Sequence, residues 1–281
     1  MALTTLDDLI YADKHIASVQ KTSTSATQVA GNWATYFAVS GVPTAALASP
    51  STVAVGGSSA GVIPAKNAAG YLSPITPNGG ESAYVVNGSF ANSLGVQVMD
   101  CGMIHMLYAK LWHVNVTPLT ALGTATISAP PSYSGLLLNP DYIGTMIVLE
   151  VTTAISATAT TIAVTYTNQA GTTGRTTGAS PSLSGFAAAR WVVMPLQAGD
   201  TGVQKIETII VGGVVATAGA VNVSVIYPIM FFTATNAQRY EIAGYERCGV
   251  QYDPDQALAV AVLCNGTSTG QLDCQIELVS H

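Results

Sequence analysis

Thr160-Thr161-Ile162-Ala163-Val164-Thr165-Tyr166-Thr167, followed by Asn168-Gln169-Ala170-Gly171, decides the fold class. Ile162, Val164 and Tyr166 alternate with Thr161, Ala163 and Thr165, the two-residue period of a strand with one wet face. The four residues that follow supply a turn. On either side the pattern repeats. Met146–Thr153, Arg190–Gln197, Val203–Val211, Val221–Met230, Ala257–Cys264 and Gln271–Val279 are further runs of β-branched and apolar residues. Ala198-Gly199-Asp200-Thr201-Gly202, Gly212-Gly213 and Asn265–Gly270 punctuate them. Short strands with regular turns and no helical pattern between them predict an all-β body, an antiparallel β-sandwich or jelly roll.

The N-terminal third reads differently. Thr5 suits an N-cap, with Asp7 and Asp8 favourable in the first turn, and Leu6, Leu9, Ile10, Asp13, Ile16 and Ala17 form a stripe at helical spacing. This predicts a short helix over about residues 6–17, then an arm of Thr, Ser and Ala from Lys21 to Gln28. Residues 1–30 are thus expected to be a helix and arm, and 31–281 a β-domain. Within the latter, 31–41 reads as a strand carrying Trp33, Tyr36 and Phe37. Residues 42–82 form an irregular excursion broken by Pro43, Pro50, Pro64, Pro74 and Pro77. A helix this short and a loop this long gain order by burying apolar residues against something. Leu6, Leu9, Ile10, Val53, Val55 and Ile63 are therefore the expected interface residues.

Composition narrows the function classes. Only 9% of the 281 residues are charged while 49% are hydrophobic, against roughly 25% charged in an ordinary soluble domain. Thr, Ser, Ala, Gly and Val stand in their place, giving a surface with little charge repulsion, suited to packing on copies of itself or on a neighbour. A net charge of −6 and scattered Lys and Arg argue against a nucleic-acid coat. No apolar run approaches the ~20 residues of a spanning helix. Met1–Gln20 carries Asp7, Asp8 and Asp13 and has no basic-then-apolar leader pattern, so use without export is expected.

Candidate chemistry is sparse. Gly171-Thr172-Thr173-Gly174-Arg175 has a glycine-rich look but not the spacing of a phosphate loop. Asp200-Thr201-Gly202 is the triplet of aspartic proteases, whose chemistry needs a second close carboxylate, and there is no second triplet. His105 and His113 lie near Trp112 in a segment that could be a catalytic cluster but reads better as a packed amphipathic edge, and no G-x-S-x-G elbow is present. Asp253 and Asp255 read as an ordinary turn. Cys101, Cys248, Cys264 and Cys274 lack zinc spacing; Cys264 and Cys274 could face each other across a hairpin, though buried free thiols are the plainer expectation. No catalytic, cofactor or metal residues are expected, and the chain is expected not to be an enzyme.

Leu107–His113 (LYAKLWH), Val164–Arg175 (VTYTNQAGTTGR) and Leu196–Val203 (LQAGDTGV) resemble pieces of tailed-bacteriophage virion proteins encoded near capsid genes. Gly31–Tyr36 (GNWATY), followed by Gly41-Val42-Pro43, fits the same pattern. The resemblance implies a structural virion component with no active-site residues to carry over. The major capsid fold of such phages has a long spine helix and a charged extended loop, which this sequence lacks. An auxiliary head protein, a decoration or cement protein that binds and stabilises the shell, fits better. Its implied partners are the major capsid protein or other virion proteins and itself, as a homotrimer, with no nucleic acid and no membrane. Its implied place is the phage head, assembled in the host cytoplasm. A connector, tail or fibre-associated protein is the other class, with host-glycan binding through Tyr240, Tyr245 and Tyr252.

Overall fold

The computed structural model describes residues 6–22, 31–92, 103–234, 241–242, 249–263 and 272–281. A single helical stretch, α1 (Leu6–Tyr11), precedes β1 (Asp13–Lys21), β2 (Trp33–Thr35), β3 (Gly41–Val42), β4 (Thr52–Val53), β5 (Ser58–Ser59) and β6 (Ala83–Asn92). Next come β7 (Met103–Val116), β8 (Gly123–Ile127), β9 (Met146–Thr153), β10 (Thr160–Asn168), β11 (Arg175–Thr176) and β12 (Arg190–Met194). β13 (Val203–Gly213), β14 (Ala220–Ala234), β15 (Glu241–Ile242), β16 (Val250–Tyr252), β17 (Ala257–Leu263) and β18 (Leu272–Ser280) complete the chain. The protein is all-β, with mainly antiparallel sheets. It divides into two compact units: residues 1–45, 65–109 and 228–281 form the first, and 46–64 and 110–227 the second.

In the first unit a sheet runs β15-β6-β18-β1-β3, with β16 also on β6. β1 pairs with β18 from Asp13↔Ser280 to Gln20↔Asp273, joining the two ends of the chain. Here the helix expected over 6–17 is corrected. It ends at Tyr11, and from Asp13 onward the residues form a strand whose Ala17, Val19 and Lys21 are buried. Pairing with a segment more than two hundred residues away outweighs a local helical stripe, as tertiary context commonly does. Of the expected arm, Lys21 closes β1, and residues 23–28 lie outside the described residues. Lys21 is buried because its ammonium caps the chain that crosses it, donating to Val39 O at 3.2 Å and to Pro43 O at 2.5 Å. Burial pulls its pKa down to about 8. Gly41 (φ 133°) lies directly against the Gln20 carbonyl, so a side chain there has neither the space nor the backbone angle.

The stretch expected as one aromatic strand, 31–41, is two short strands, β2 and β3, separated by a turn at 36–39. β2 pairs with β17, and Phe37 meets Tyr71 edge to face at 5.3 Å between ring centres.

In the second unit a sheet runs β11-β10-β13-β8-β5. β10 carries the deciding pattern as built: Ile162, Val164 and Tyr166 are buried and Thr161, Ala163 and Thr165 half-buried. A second antiparallel ladder joins β12 and β14 to the two edges of β9. Ile147–Val151 in β9 and Val221–Ile226 in β14 are buried without a break, the mark of strands covered on both faces.

The excursion is ordered by its own chain. β4 runs parallel to β7 (Thr52↔Asn115) and β5 parallel to β8 (Ser58↔Thr126). Val62 bridges His113, and the Trp112 indole N–H donates to Ala60 O at 3.0 Å. Gly61 (φ 67°) lies flat on the Trp112 ring, a contact no larger residue permits. The hydroxyls that replace charge in the composition bond the backbone internally. Thr177 Oγ1 accepts from Val164 N–H and Ser180 Oγ from Ile162 N–H, both at 3.0 Å, so hydroxyls finish the edge of β10 where the ladder with β11 stops.

Candidate interaction surfaces

The expected interface residues fall in different places. Leu9 packs on the core of its own unit with Ala12, Tyr84, Val86 and Val279. Val53 is 4% exposed and lies inside the second unit. Val55 and Ile63 are half-buried. The side chains of Leu6 and Ile10 lie outside the described residues. Two of the six, Leu9 and Val53, are thus held by their own units.

Large apolar side chains are open elsewhere. In the first unit Tyr11, Ile16, Val42 and Phe231 are exposed; Tyr11 is 82% exposed. In the second unit Leu138 and Ile143 are exposed, as are Val214 and Val215 in the turn after β13. Leu138 and Ile143 line a groove of about 190 Å³ with Leu137, Asn139, Asp141 and Tyr227. Asp141 is its one charged group, and its carboxylate accepts from Ile143 N–H at 3.0 Å. Sequence reasoning missed this groove because the segment 137–143 lies between strands and has no periodicity to read.

Asp200 and the glycine-rich turn are tied into the scaffold. Asp200 accepts from Arg175 Nε at 2.9 Å, from Asn168 Nδ2 at 2.7 Å and from the Tyr166 hydroxyl at 2.7 Å. The Arg175 guanidinium, helped by the other two donors, holds its carboxyl down at about 2. Burial, then the bond to Asp200, pushes the Tyr166 phenol up to about 12. Gly174, in the glycine-rich turn, donates its N–H to Glu207 at 3.1 Å, and Thr167 donates to the same carboxylate at 2.6 Å. This is a turn stapled by carboxylates. It is neither a phosphate cradle nor a proton-sharing pair.

His105 and His113 are buried on β7, and desolvation lowers them to about 4 and about 3, with the nearby Lys110 charge adding to the effect on His113. Both are neutral at pH 7. Neither ring nitrogen of His113 has a hydrogen-bond partner among the described residues. Asp253 and Asp255 form a turn in which Asp255 N–H donates to Asp253 Oδ1 at 2.8 Å, and Lys66 pairs with Asp255 at 2.7 Å. No cluster of metal-ligating residues occurs among the described residues. Tyr252 is buried; Tyr240 and Tyr245 lie outside the described residues. Cys274 is a buried free thiol, while Cys264, its hairpin candidate, is also outside them. No described helix is long and apolar enough to cross a membrane.

No protein-family model matches the sequence, and no curated protein matches it. Among solved structures, the infectious bursal disease virus VP2 subviral particle aligns with 96% of this chain and 79% of that one, at 10% identity and a TM-score of 0.22. T=1 particles derived from the same virus align at 8% identity and 0.21, covering 96% and 77%. The Gx strain of that virus gives 10% identity and 0.21, covering 96% and 79%.

Proposed function

We propose that this chain is a non-enzymatic structural component of a virion, an auxiliary protein of a tailed-phage head that binds and stabilises the shell. The observation that carries the reading is the surface. In a chain with 9% charged residues, Leu138 and Ile143 stand open on a groove with a single carboxylate, and Asp200 is engaged in the scaffold. Exposed apolar groups with so little charge around them suit contact with a protein lattice. The resemblance of LYAKLWH, VTYTNQAGTTGR and LQAGDTGV to virion proteins supports the same class.

The test uses the purified full-length chain and phage heads that lack it. Co-sedimentation is expected to saturate, and the decorated heads are expected to withstand heating that opens the bare ones. Absence of binding, or binding without stabilisation, contradicts the proposal. Panels of glycan, peptide and ester substrates are expected to show no turnover. In solution the chain is expected to self-associate on a cyclic symmetry, a trimer above all, since symmetric shells select such assemblies. Light scattering at 28.7 kDa reads as a monomer and removes the trimer from the account.

A further inference from the structure

β9 is a strand buried on both faces, yet the fourth residue of Ile147-Val148-Leu149-Glu150-Val151 is a glutamate with no exposed surface. Its neighbours are equally enclosed. Lys110, on β7, is 2% exposed, and Asn222, on β14, is wholly buried and stands directly opposite Glu150 in the ladder. Lys110 Nζ and Asn222 Nδ2 both meet the same oxygen, Glu150 Oε2, at 3.1 Å and 3.2 Å. The remaining bonds fix the amide. Asn222 Oδ1 accepts from Ser49 N–H at 3.0 Å, and Nδ2 also donates to Leu47 O at 2.7 Å. The opposite orientation of the amide would set oxygen against two acceptors and nitrogen against a donor.

An amine, a carboxamide and a carboxylate enclosed together are the reactants and the acid–base group for transamidation. We propose that the second unit closes an amide bond between the side chains of Lys110 and Asn222, with Glu150 as the catalytic acid–base residue and ammonia as the leaving group. Away from water, an ammonium beside a carboxylate bears a desolvation cost that moving the shared proton to oxygen removes. Glu150 Oε2 takes that proton and leaves Nζ a neutral amine. The Nζ lone pair forms the new bond to the Asn222 amide carbon, and the carbonyl electron pair moves onto Oδ1. There the Ser49 N–H is already in place to bind the developing oxyanion. Glu150 passes its proton to Nδ2, the bond from that nitrogen to carbon breaks as the carbonyl re-forms, and ammonia departs. A second proton moves from Nζ to Glu150, leaving a neutral amide beside a neutral acid. The step needs no oxidant and no cofactor. Enclosure keeps out water, which would otherwise compete with the amine. The product is a covalent tie from β7 to β14 that requires no cysteine.

Intact mass of the purified, folded full chain decides it. The expected mass is below that of the sequence by one ammonia, and digestion is expected to yield one joined peptide carrying both Lys110 and Asn222. Asn222→Asp is expected to lose water in place of ammonia and so reach the wild-type product mass. Glu150→Gln and Lys110→Arg are expected to keep the full mass of their sequences. A wild-type chain at full sequence mass overturns the proposal without recourse to any variant, and so does an ammonia deficit with no joined peptide. A joined peptide from Glu150→Gln overturns the role given to Glu150.

Discussion

Glu150 and Asp200 both belong to the second unit and both sit among hydrogen-bond donors, yet they are used in opposite ways. Asp200 lies in a turn, where Arg175, Asn168 and Tyr166 point at it from three directions. Its donors cannot react with one another, and the carboxylate holds the turn between β12 and β13 against β10 and β11. Glu150 lies in the interior of a sheet, and among its donors are an amine and an amide that can react with each other. Hydrogen-bond satisfaction is alike at the two sites. What separates them is the identity of the donors and the enclosure of the cation, 2% exposed at Lys110 against 25% at Arg175.

The largest expected effect comes from Glu150. Glu150→Gln blocks the tie and leaves the buried Lys110 ammonium without its carboxylate, and unfolding by urea is expected to show a loss of at least about 3–5 kcal/mol. Asp200→Asn removes bonds in a turn whose cationic donor, Arg175, is partly exposed, and a loss of about 1–3 kcal/mol is expected. If the two variants lose the same amount, burial does not separate the sites.

The buried histidines sharpen the contrast on the pH axis. His105 and His113 titrate at about 4 and about 3 in the fold, against 6.5 when unperturbed. Between these values the unfolded chain holds protons that the folded chain does not. Stability is therefore full above pH 6.5 and falls as the pH drops below it, by about 1.4 kcal/mol per pH unit for each histidine. His113→Leu removes a buried ring without partners, so it is expected to change little at pH 7 and to flatten the acid limb in denaturation series at pH 7 and pH 5. Asp200 acts lower. Its contribution is complete above its ordinary 3.8 and is lost as the pH falls through about 2. An acid limb unchanged by His113→Leu contradicts the burial of its ring.

The smallest effect on folding is expected at the groove. Leu138→Ser alters an exposed side chain, so stability is expected to move by less than about 0.5 kcal/mol. Binding to heads is expected to weaken clearly, read by co-sedimentation. Unchanged binding removes the groove from the contact surface.

The β body was legible in the sequence because its strands announce themselves locally. Met146–Thr153 is β9 to the residue, and the alternation of Thr160–Thr167 is the burial pattern of β10. β1 was not legible. Its inward set is Ala17, Val19 and Lys21, and a lysine does not read as core until the Val39 and Pro43 carbonyls that receive it are known. The excursion misled for a related reason. Two-residue strands pairing in parallel with partners more than sixty residues on leave no periodicity. The Lys110–Glu150–Asn222 cluster did leave a trace, a charge within the otherwise apolar run Met146–Val151. In a chain with so few charges, a carboxylate placed there is the signal to follow.

The measurement that tests the central claim most directly is the number of copies of this chain in purified virions, counted by quantitative mass spectrometry against the major shell protein. A shell-binding auxiliary protein is expected in fixed stoichiometry to the shell lattice, one copy or one oligomer per equivalent lattice position. A count set by the portal, tail or fibres, or absence from the virion, contradicts it.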